Sequence, residues 1–278
     1  MKIDGAFILS AGLGTRMGEL GKIIPKPAFP LFNKSIIEIL VLQLKELGLE
    51  RVFVNTHHQA EYLNNHLKKI NCDVVTLHEK ALLGSGGAFY NLKKNYPELK
   101  NILSINADMI FNLVKSDIEH LKNIHFEKKS EVTLQGLKVE PTKALNRLYV
   151  ENSQLKGIIT YPNSAVDNHS YTYSGICILD LDKLDKKFQN IESSFFDSVA
   201  CYKKKEVHVN LPDKIDYFDL GTLENYIDSI KSIKKDKNSF IRSYFSAENL
   251  TAPGTDMRYE NEKVKVTLVG NDLKFKLK

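Results

Sequence analysis

The first 110 residues alternate short apolar runs with amphipathic segments, and this alternation restricts the fold more than any other feature of the chain. Apolar runs typical of strands lie at residues 7–9, 51–55, 73–77 and 101–105. Helical spacing of apolar residues, or a glycine pair that begins a helix, predicts helices at residues 36–47, 62–67 and 86–92. This order predicts an α/β fold with a mostly parallel, doubly wound sheet, because parallel strands are joined by crossover helices. Such sheets bind ligands at the carboxyl ends of their strands.

The later part of the chain has a different pattern. Strands are predicted at residues 132–134, 147–150 and 171–179, which we interpret as a lid or as the second half of the same domain, and a helix at 223–234. Residues 264–277 alternate apolar and polar on both sides of Gly270, which predicts a β-hairpin with one apolar face. That face must cover the body or a second subunit, so a homodimer through this hairpin is one expectation. We place domain limits at 1–234 and 235–278.

Composition and charge exclude several classes of protein. Hydrophobic residues make up 42% and charged residues 26%, which disfavours wholesale disorder and fibres. No long apolar run and no signal sequence are visible, and Cys72, Cys177 and Cys201 lie far apart, so we expect a cytoplasmic protein without a membrane partner. The net charge of +5 resides mostly in the last residues and, without a nucleic-acid motif, indicates a solvated helix end.

The strongest local feature is a glycine-rich loop after the first strand, Leu9-Ser10-Ala11-Gly12-Leu13-Gly14-Thr15-Arg16, followed by Pro25-Lys26-Pro27. A glycine pair after a strand lets the backbone approach a phosphate closely. A P-loop is excluded because Gly-Lys-Ser/Thr is absent, and the dinucleotide fingerprint because Met17 occupies the place of its third glycine. In the remaining pattern, Arg16 can bind phosphate oxygens through its forked guanidinium, and Lys26 supplies a point charge.

Two carboxylates and a second glycine cluster follow the same rule of position. Asp108 follows the strand at 102–105 and Asp219 follows Tyr217-Phe218; if the fold brings them together, they suit Mg²⁺ on phosphate, and otherwise they are helix N-caps. Gly84, Gly86 and Gly87 begin a helix whose free N–H groups suit a nucleotide, unless they form a turn without a ligand.

Several segments in one order carry a family resemblance: the loop 12–16 with 25–27, Leu83-Gly84-Ser85-Gly86-Gly87-Ala88, Asn106-Ala107-Asp108, Tyr173-Ser174-Gly175-Ile176 and Asp219-Leu220-Gly221-Thr222. From about residue 3 to 230 the chain resembles the sugar-1-phosphate nucleotidyltransferases. It is most similar to the compact bacterial branch with N-acetylmuramate-1-phosphate uridylyltransferase and mannose-1-phosphate guanylyltransferases. The resemblance implies a Rossmann-like, doubly wound mixed sheet of the nucleotide-diphospho-sugar transferase type, with the hairpin as an appendage.

The resemblance also implies an activity and roles for residues. The reaction would be Mg²⁺-dependent transfer of a nucleotidyl group from an NTP to a sugar 1-phosphate, giving pyrophosphate and an NDP-sugar. UTP is the first choice of donor and GTP the second, and the NDP-sugar would serve as a precursor for the cell envelope. Arg16 would bind the β- and γ-phosphates, Lys26 the sugar phosphate and α-phosphate, and Asp108 with Asp219 the metal. The nucleotide would lie against Leu9, Ala11, Gly12, Gly14, Thr15, Gly84 and Gly86, and the sugar against Asn106, Ser174 and Gly175.

Two other functions stay open, and a third is disfavoured. A cytidylyltransferase acting on phosphocholine or a similar phosphomonoester shares the glycine loop, and a non-catalytic nucleotide-sugar-sensing subunit shares the fold. A GT-A glycosyltransferase is disfavoured because Asn106 stands at the first position of its Asp-x-Asp motif. The sugar is not assigned, since Thr160-Tyr161-Pro162 stands where larger relatives carry Glu-Lys-Pro.

Overall fold

A computed structural model of the protein describes residues 2–70, 73–140, 143–162, 170–251, 256–261 and 264–278. Cys72 lies outside the described residues. The strands are β1 Gly5–Leu9, β2 Pro30–Leu31, β3 Lys34–Ser35, β4 Val52–Thr56, β5 Val74–His78, β6 Asn101–Asn106, β7 Met109–Phe111, β8 Val132–Lys138, β9 Arg147–Glu151, β10 Gln154–Ile159, β11 Tyr171–Asp180, β12 Val207–Asn210, β13 Tyr217–Asp219, β14 Met257–Glu260, β15 Val264–Val269 and β16 Asp272–Leu277.

The α-helices are α1 Gly18–Ile23, α2 Ile36–Glu46, α3 Ala60–Leu67, α4 Gly84–Asn95, α5 Lys115–Glu127, α6 Leu223–Lys235 and α7 Ala247–Thr251. Short 3-10 helices include Thr15–Met17, Lys26–Ala28 and Phe240–Tyr244, and one π-helical turn spans Phe195–Val199. No helix within the described ranges has the length and apolar character that a membrane span requires.

The main sheet has nine strands among the described residues, in the order β5-β4-β1-β6-β11-β8-β12-β10-β9. β5, β4, β1 and β6 run parallel, as predicted for the first part of the chain. β11 lies antiparallel between β6 and β8, and β12 pairs parallel with β8. The sheet is therefore mixed, and the predicted fold class is confirmed.

Each central strand is apolar on both sides because both faces of the sheet are covered. Ala6, Phe7 and Ile8 of β1 are all fully buried. Ala6 and Ile8 contribute to the core on one face, together with α2 and α6, whereas Phe7 contributes to the core on the other, with α4. This alternation follows from the two-residue period of a strand.

Local sequence fixes the ends of α2. The Ser35 hydroxyl accepts a hydrogen bond from the Glu38 N–H at 3.2 Å, and the Glu38 carboxylate accepts one from the Ser35 N–H at 2.6 Å. This capping box satisfies two of the free donors at the N-terminus of the helix. Gly48, with φ of +85°, follows the last turn, a position at which glycine commonly ends a helix.

The predicted C-terminal hairpin is present as β15 and β16, and β14 adds a third antiparallel strand that the sequence analysis did not predict. Val264, Val266 and Leu268 are fully buried in the same core as α2 and α6. The apolar face thus covers the body of its own chain. The homodimer and the domain limit at residue 234 stay predictions.

Candidate functional site

A cavity of about 410 Å³ lies where β1 and β6 end, as expected for a sheet of this type. Ten of the predicted site residues line it: Leu9, Ala11, Gly12, Gly14, Thr15, Arg16, Lys26, Gly84, Asn106 and Asp108. The other four, Gly86, Ser174, Gly175 and Asp219, are not among the residues that line it.

The glycine-rich loop is held by hydrogen bonds at Ser10, where it begins, and has open space beside Gly12. The Ser10 N–H donates to Asn55 Oδ1 at 2.6 Å, and the Ser10 hydroxyl donates to the Asn55 carbonyl, so the loop begins at a fixed place beside β4. Gly14 has φ of +65°, a conformation that glycine adopts without strain. A Cβ at Gly12 would meet no atom within 4 Å. No neighbour among the described residues therefore requires glycine at position 12, and a ligand can approach the backbone there.

Lys26 and Arg16 face the cavity in different ways. Lys26 is 9% exposed and its ammonium donates to Asp108 Oδ2 at 3.1 Å, whereas Arg16 is exposed. Burial lowers the pKa of Lys26; the carboxylate of Asp108 opposes this shift and the charge of Arg16 adds to it. Pro25 and Pro27 flank Lys26 in the short 3-10 helix and limit its backbone freedom.

A small two-stranded ladder brings Asp108 and Asp219 together. β7 pairs antiparallel with β13, with Met109 opposite Asp219, and the Leu220 N–H donates to the Asp108 carbonyl at 2.8 Å. A Cβ built on Gly221 would lie 2.9 Å from Asp219 Oδ1 and 4.0 Å from Asp108 Oδ2. The two carboxylates therefore flank Gly221, which itself lines the cavity.

The oxygens of Asp219 are oriented by its neighbours. Oδ1 accepts from the Gly221 N–H at 2.7 Å, and Oδ2 accepts from the Asn225 side-chain amide at 2.8 Å. Each carboxylate oxygen retains further capacity to accept or to bind a cation. Within the described ranges no group of three or more His, Cys, Asp or Glu side chains is arranged to hold a metal by itself.

The second glycine cluster has a packing role that the sequence did not reveal. The Gly86 N–H, predicted to be free for a nucleotide, donates to the Ser193 carbonyl at 2.8 Å. A Cβ at Gly84 would lie 2.6 Å from that carbonyl oxygen, and one at Gly87 would lie 2.8 Å from the Ile191 carbonyl oxygen. Glycines are thus needed because residues 191–198 pack against the start of α4, and Gly84 with Ser85 reaches the cavity.

The residues predicted for the sugar meet behind the cavity. Gly175 has φ of +87°, and a Cβ there would lie 2.7 Å from Asn106 Nδ2. Glycine at 175 therefore leaves room for the Asn106 side chain, which lines the cavity. Ser174 is 1% exposed; its hydroxyl donates to the Gln135 carbonyl at 2.7 Å and accepts from the Ile176 N–H at 3.2 Å. Its hydroxyl is therefore held between β11 and β8, and Ser174 is not among the residues that line the cavity.

Asn55 and Glu79 also line the cavity, and the sequence analysis did not predict either of them as a site residue. Glu79 is 2% exposed; its Oε1 accepts from the Asn55 amide at 2.8 Å and its Oε2 from the Leu83 N–H at 3.1 Å. Burial raises the pKa of this carboxyl, although both hydrogen bonds oppose the shift. Asn55 lies near the end of β4 and Glu79 directly follows β5, so the rule that selected Asp108 would have found both.

His57 and His58 contact backbone carbonyls. A ring nitrogen of His57 lies 2.8 Å from the Glu79 carbonyl oxygen, and one of His58 lies 3.0 Å from that of Gly21.

The sequence pattern of the family described as "Nucleotidyl transferase" matches residues 5–236. The chain belongs to this family. The assignment made from the loop, the carboxylates and their order is confirmed at this level, and the chain is an enzyme of the nucleotidyl transferase type.

Relatives of this nucleotidyl transferase carry related names. The D-glycero-alpha-D-manno-heptose 1-phosphate guanylyltransferase of Campylobacter jejuni is 26% identical over 226 residues, covering 80% of this chain and 96% of that protein. The enzyme of the same name from Aneurinibacillus thermoaerophilus is 24% identical over 208 residues, covering 72% of this chain and 86% of its own.

Among solved structures, HddC from Yersinia pseudotuberculosis has a TM-score of 0.67 and 24% sequence identity, over 81% of this chain and 97% of that chain. At this identity the similarity shows the fold. This nucleotidyl transferase therefore shares its fold with HddC.

Proposed function

We propose that this nucleotidyltransferase transfers a guanylyl group from GTP to a sugar 1-phosphate, giving a GDP-sugar and pyrophosphate. The observation that carries the proposal is the cavity itself, where an open glycine loop, Arg16, Lys26 and Asp108 meet at the end of β1. A role in supplying cell-envelope precursors and a cytoplasmic location stay predictions.

Glu79 supports GTP over UTP, which reverses the order of preference given by the sequence alone. A carboxylate accepts hydrogen bonds and donates none, and about two of its four lone-pair sites stay free after Asn55 and Leu83 are bound. Guanine presents two neighbouring donors, N1–H and the 2-amino group. Uracil presents one N–H between two carbonyl oxygens, which a carboxylate repels. The names of the two heptose-phosphate relatives, both guanylyltransferases, support the same choice.

Asp108 and Asp219 fit Mg²⁺ by the chemistry of their donors. Mg²⁺ prefers hard oxygen ligands and commonly uses one or two carboxylates together with substrate phosphates. Asp219 accepts hydrogen bonds from Gly221 and Asn225. Carboxylates that bind a metal are commonly oriented by hydrogen bonds of this kind. We propose that these carboxylates hold Mg²⁺, which when bound neutralises phosphate charge and orients the reacting groups.

The residues of the chain would act by position and charge. An oxygen of the sugar phosphate attacks the α-phosphorus, a new P–O bond forms, and the bond from the α-phosphorus to the bridging oxygen breaks as pyrophosphate leaves. No proton transfer is required. Lys26 neutralises charge on the sugar phosphate and α-phosphate, and Arg16 on the leaving group, so that catalysis depends on preorganised charge. The ammonium of Lys26 must turn from Asp108 to the phosphates.

The test is pyrophosphate release from each of the four NTPs, with heptose, mannose, glucose and N-acetylated amino-sugar 1-phosphates and with phosphocholine as acceptors. GTP with one sugar 1-phosphate is the expected active pair, with loss of activity in Asp108→Asn. Release only from CTP with phosphocholine would establish the cytidylyltransferase alternative. Tight binding of nucleotide with no turnover would instead support the non-catalytic sensing subunit.

A further inference from the structure

The segment that follows Lys26 is a short hairpin with an unusual turn. Lys26–Ala28 leads through Phe29 into β2 and β3, and the Phe29 N–H donates to the Lys26 carbonyl at 2.9 Å. The turn between the strands contains Phe32 with φ of +55°. A bulky residue is rarely found in this left-handed region, and it persists there only where its surroundings hold it.

The surroundings that hold Phe32 come from the C-terminal part of the chain. The Phe32 ring is fully buried and its centroid lies 4.8 Å from that of Phe245. The neighbouring residue of the chain, Ser246, donates its N–H to Asn33 Oδ1 at 3.3 Å. Two consecutive residues of the turn are therefore contacted by two consecutive residues near the C-terminus.

A second set of contacts reaches the start of the hairpin. The Tyr226 hydroxyl donates to the Pro30 carbonyl, and the Tyr226 ring lies edge-on to Phe29 with centroids 5.6 Å apart. Met257 of β14 covers the same hydroxyl, with its sulfur 3.9 Å from the oxygen. All of these side chains, with Val264, Val266 and Leu268, belong to one buried core.

The family pattern ends at residue 236, before Phe245, Ser246 and Met257. We propose that Phe245 and Ser246, together with the β14 and β15 residues that pack beside them, are a positioning element for Lys26, with Phe245 as its principal contact. By holding Phe32 in its left-handed conformation, Phe245 fixes the hairpin, and the hairpin fixes the 3-10 turn that aims the Lys26 ammonium at the cavity. The kinetic part of this inference rests on the proposed function.

The test compares Phe245→Ala with a matched control, Phe275→Ala, both in the full-length chain. Phe275 lies on the outer strand β16 opposite Val266 and is half-buried. Phe245→Leu, which keeps most of the apolar volume, tests rescue. Thermal unfolding is recorded for every variant, so that loss of folded protein is measured separately.

Two readouts are used. The first is the rate at which an amine-selective reagent modifies Lys26, followed by mass spectrometry of its peptide, with exposed Lys22 as the internal reference. Phe245→Ala is expected to raise the Lys26 rate about 10-fold, because the buried ammonium becomes accessible once the turn is released. The second is kcat at saturating substrates, expected to fall about 10- to 100-fold because small misplacement of a charged group costs this much. Phe245→Leu is expected to recover most of both, and Phe275→Ala to change neither by more than about twofold.

Equal labelling of Lys26 in Phe245→Ala and in Phe275→Ala would overturn the proposal. A loss of kcat that follows only the fraction of unfolded protein would overturn it as well. If the wild-type chain shows no transferase activity with any substrate, while Phe245→Ala still exposes Lys26, the proposed function fails and the positioning role stands.

Discussion

The ammonium of Lys26 donates to the carboxylate of Asp108 across 3.1 Å, with Lys26 almost wholly buried and the Asp108 side chain one-third exposed. The two partners differ in their hydration. The charge of Lys26 is buried and is compensated mainly by Asp108, whereas Asp108 remains partly hydrated. The same carboxylate is a proposed ligand of Mg²⁺. One oxygen of this proposed metal ligand is thus already bound by the Lys26 ammonium.

Lys26→Met is expected to separate function from stability. Loss of the cation should lower kcat/KM about 100-fold or more, because preorganised charge at the phosphates is removed. The free energy of unfolding should change by about 1 kcal/mol or less, since the carboxylate left behind is partly solvated. Steady-state kinetics and urea unfolding measure the two effects. Lys22→Met, at an exposed lysine, is the control and should change neither.

Glu79→Gln is expected to weaken selection of the base. Replacing one acceptor oxygen by an amide donor opposes the guanine N–H groups, so kcat/KM for GTP should fall about 5- to 100-fold while that for UTP falls less. Kinetics with both nucleotides provide the ratio. The exposed neighbour Lys80→Gln serves as control for the change of local charge. An unchanged GTP-to-UTP ratio in Glu79→Gln would contradict base reading by this residue.

His125 predicts a loss of stability in weak acid. Burial lowers the pKa of its imidazole from 6.5 to about 4, and a ring nitrogen lies 2.9 Å from the Thr133 hydroxyl. Above pH 6.5, the pKa of the ring in the unfolded chain, His125 is neutral in both states and its full contribution to stability is present. Between pH 6.5 and 4 the unfolded chain binds the proton more readily, so stability falls by up to about 3 kcal/mol as the pH decreases.

The measurement is urea unfolding at pH 7.5 and at pH 4.5, for the wild type and for His125→Asn. The asparagine amide can keep a hydrogen bond to Thr133 without titrating, so this variant should lose part of the pH dependence. An equal change in the free energy of unfolding between the two pH values in both proteins would show that groups other than His125 cause the pH dependence. His208, whose pKa burial also lowers, contributes in the same direction and remains in both.

Two glycine variants are expected to affect different properties, stability in one case and nucleotide binding in the other. A Cβ at Gly86 would lie 2.4 Å from the Ser194 carbonyl oxygen, so Gly86→Ala should cost about 1–3 kcal/mol of stability through overpacking. Gly12→Ala meets open space and should leave the melting temperature nearly unchanged. Its effect should instead be a raised KM for the nucleotide, since the methyl group occupies the face offered to the ligand. Thermal melts and NTP titration distinguish the two.

Much of the site was predictable because it follows a positional rule. Residues at the ends of β1 and β6 were predicted to face a ligand, and Gly12, Arg16 and Asp108 line the cavity. Glu79 and Asn55 were accessible to the same rule but were not selected. The roles of Gly84, Gly86 and Gly87 were not predictable, because their partners at 191–198 lie far away in the chain and no local pattern announces that contact.

The fold shows the same division. Alternating apolar residues predicted the hairpin β15–β16, and periodicity predicted α2 and α6. β14 was missed because its residues alternate over only four positions. α5 was missed because one of its three buried residues, His125, is a polar residue type and interrupts the apolar pattern of Ile118 and Leu121. The antiparallel insertion of β11 beside β6 is a long-range pairing that local sequence does not encode.

The ladder between β7 and β13 has a consequence for when the enzyme becomes active. Its residue pairs join the ends of a loop that contains most of the second half of the main sheet, since Asp108 and Asp219 are separated by β8 to β12 in the chain. Closing so long a loop is slow and depends on the strands between. A chain folded only as far as the four parallel strands would present Asp108 without Asp219. Binding of the proposed Mg²⁺ by both carboxylates would therefore require the β7–β13 ladder, and a metal-binding signal during refolding would time the closure of that ladder.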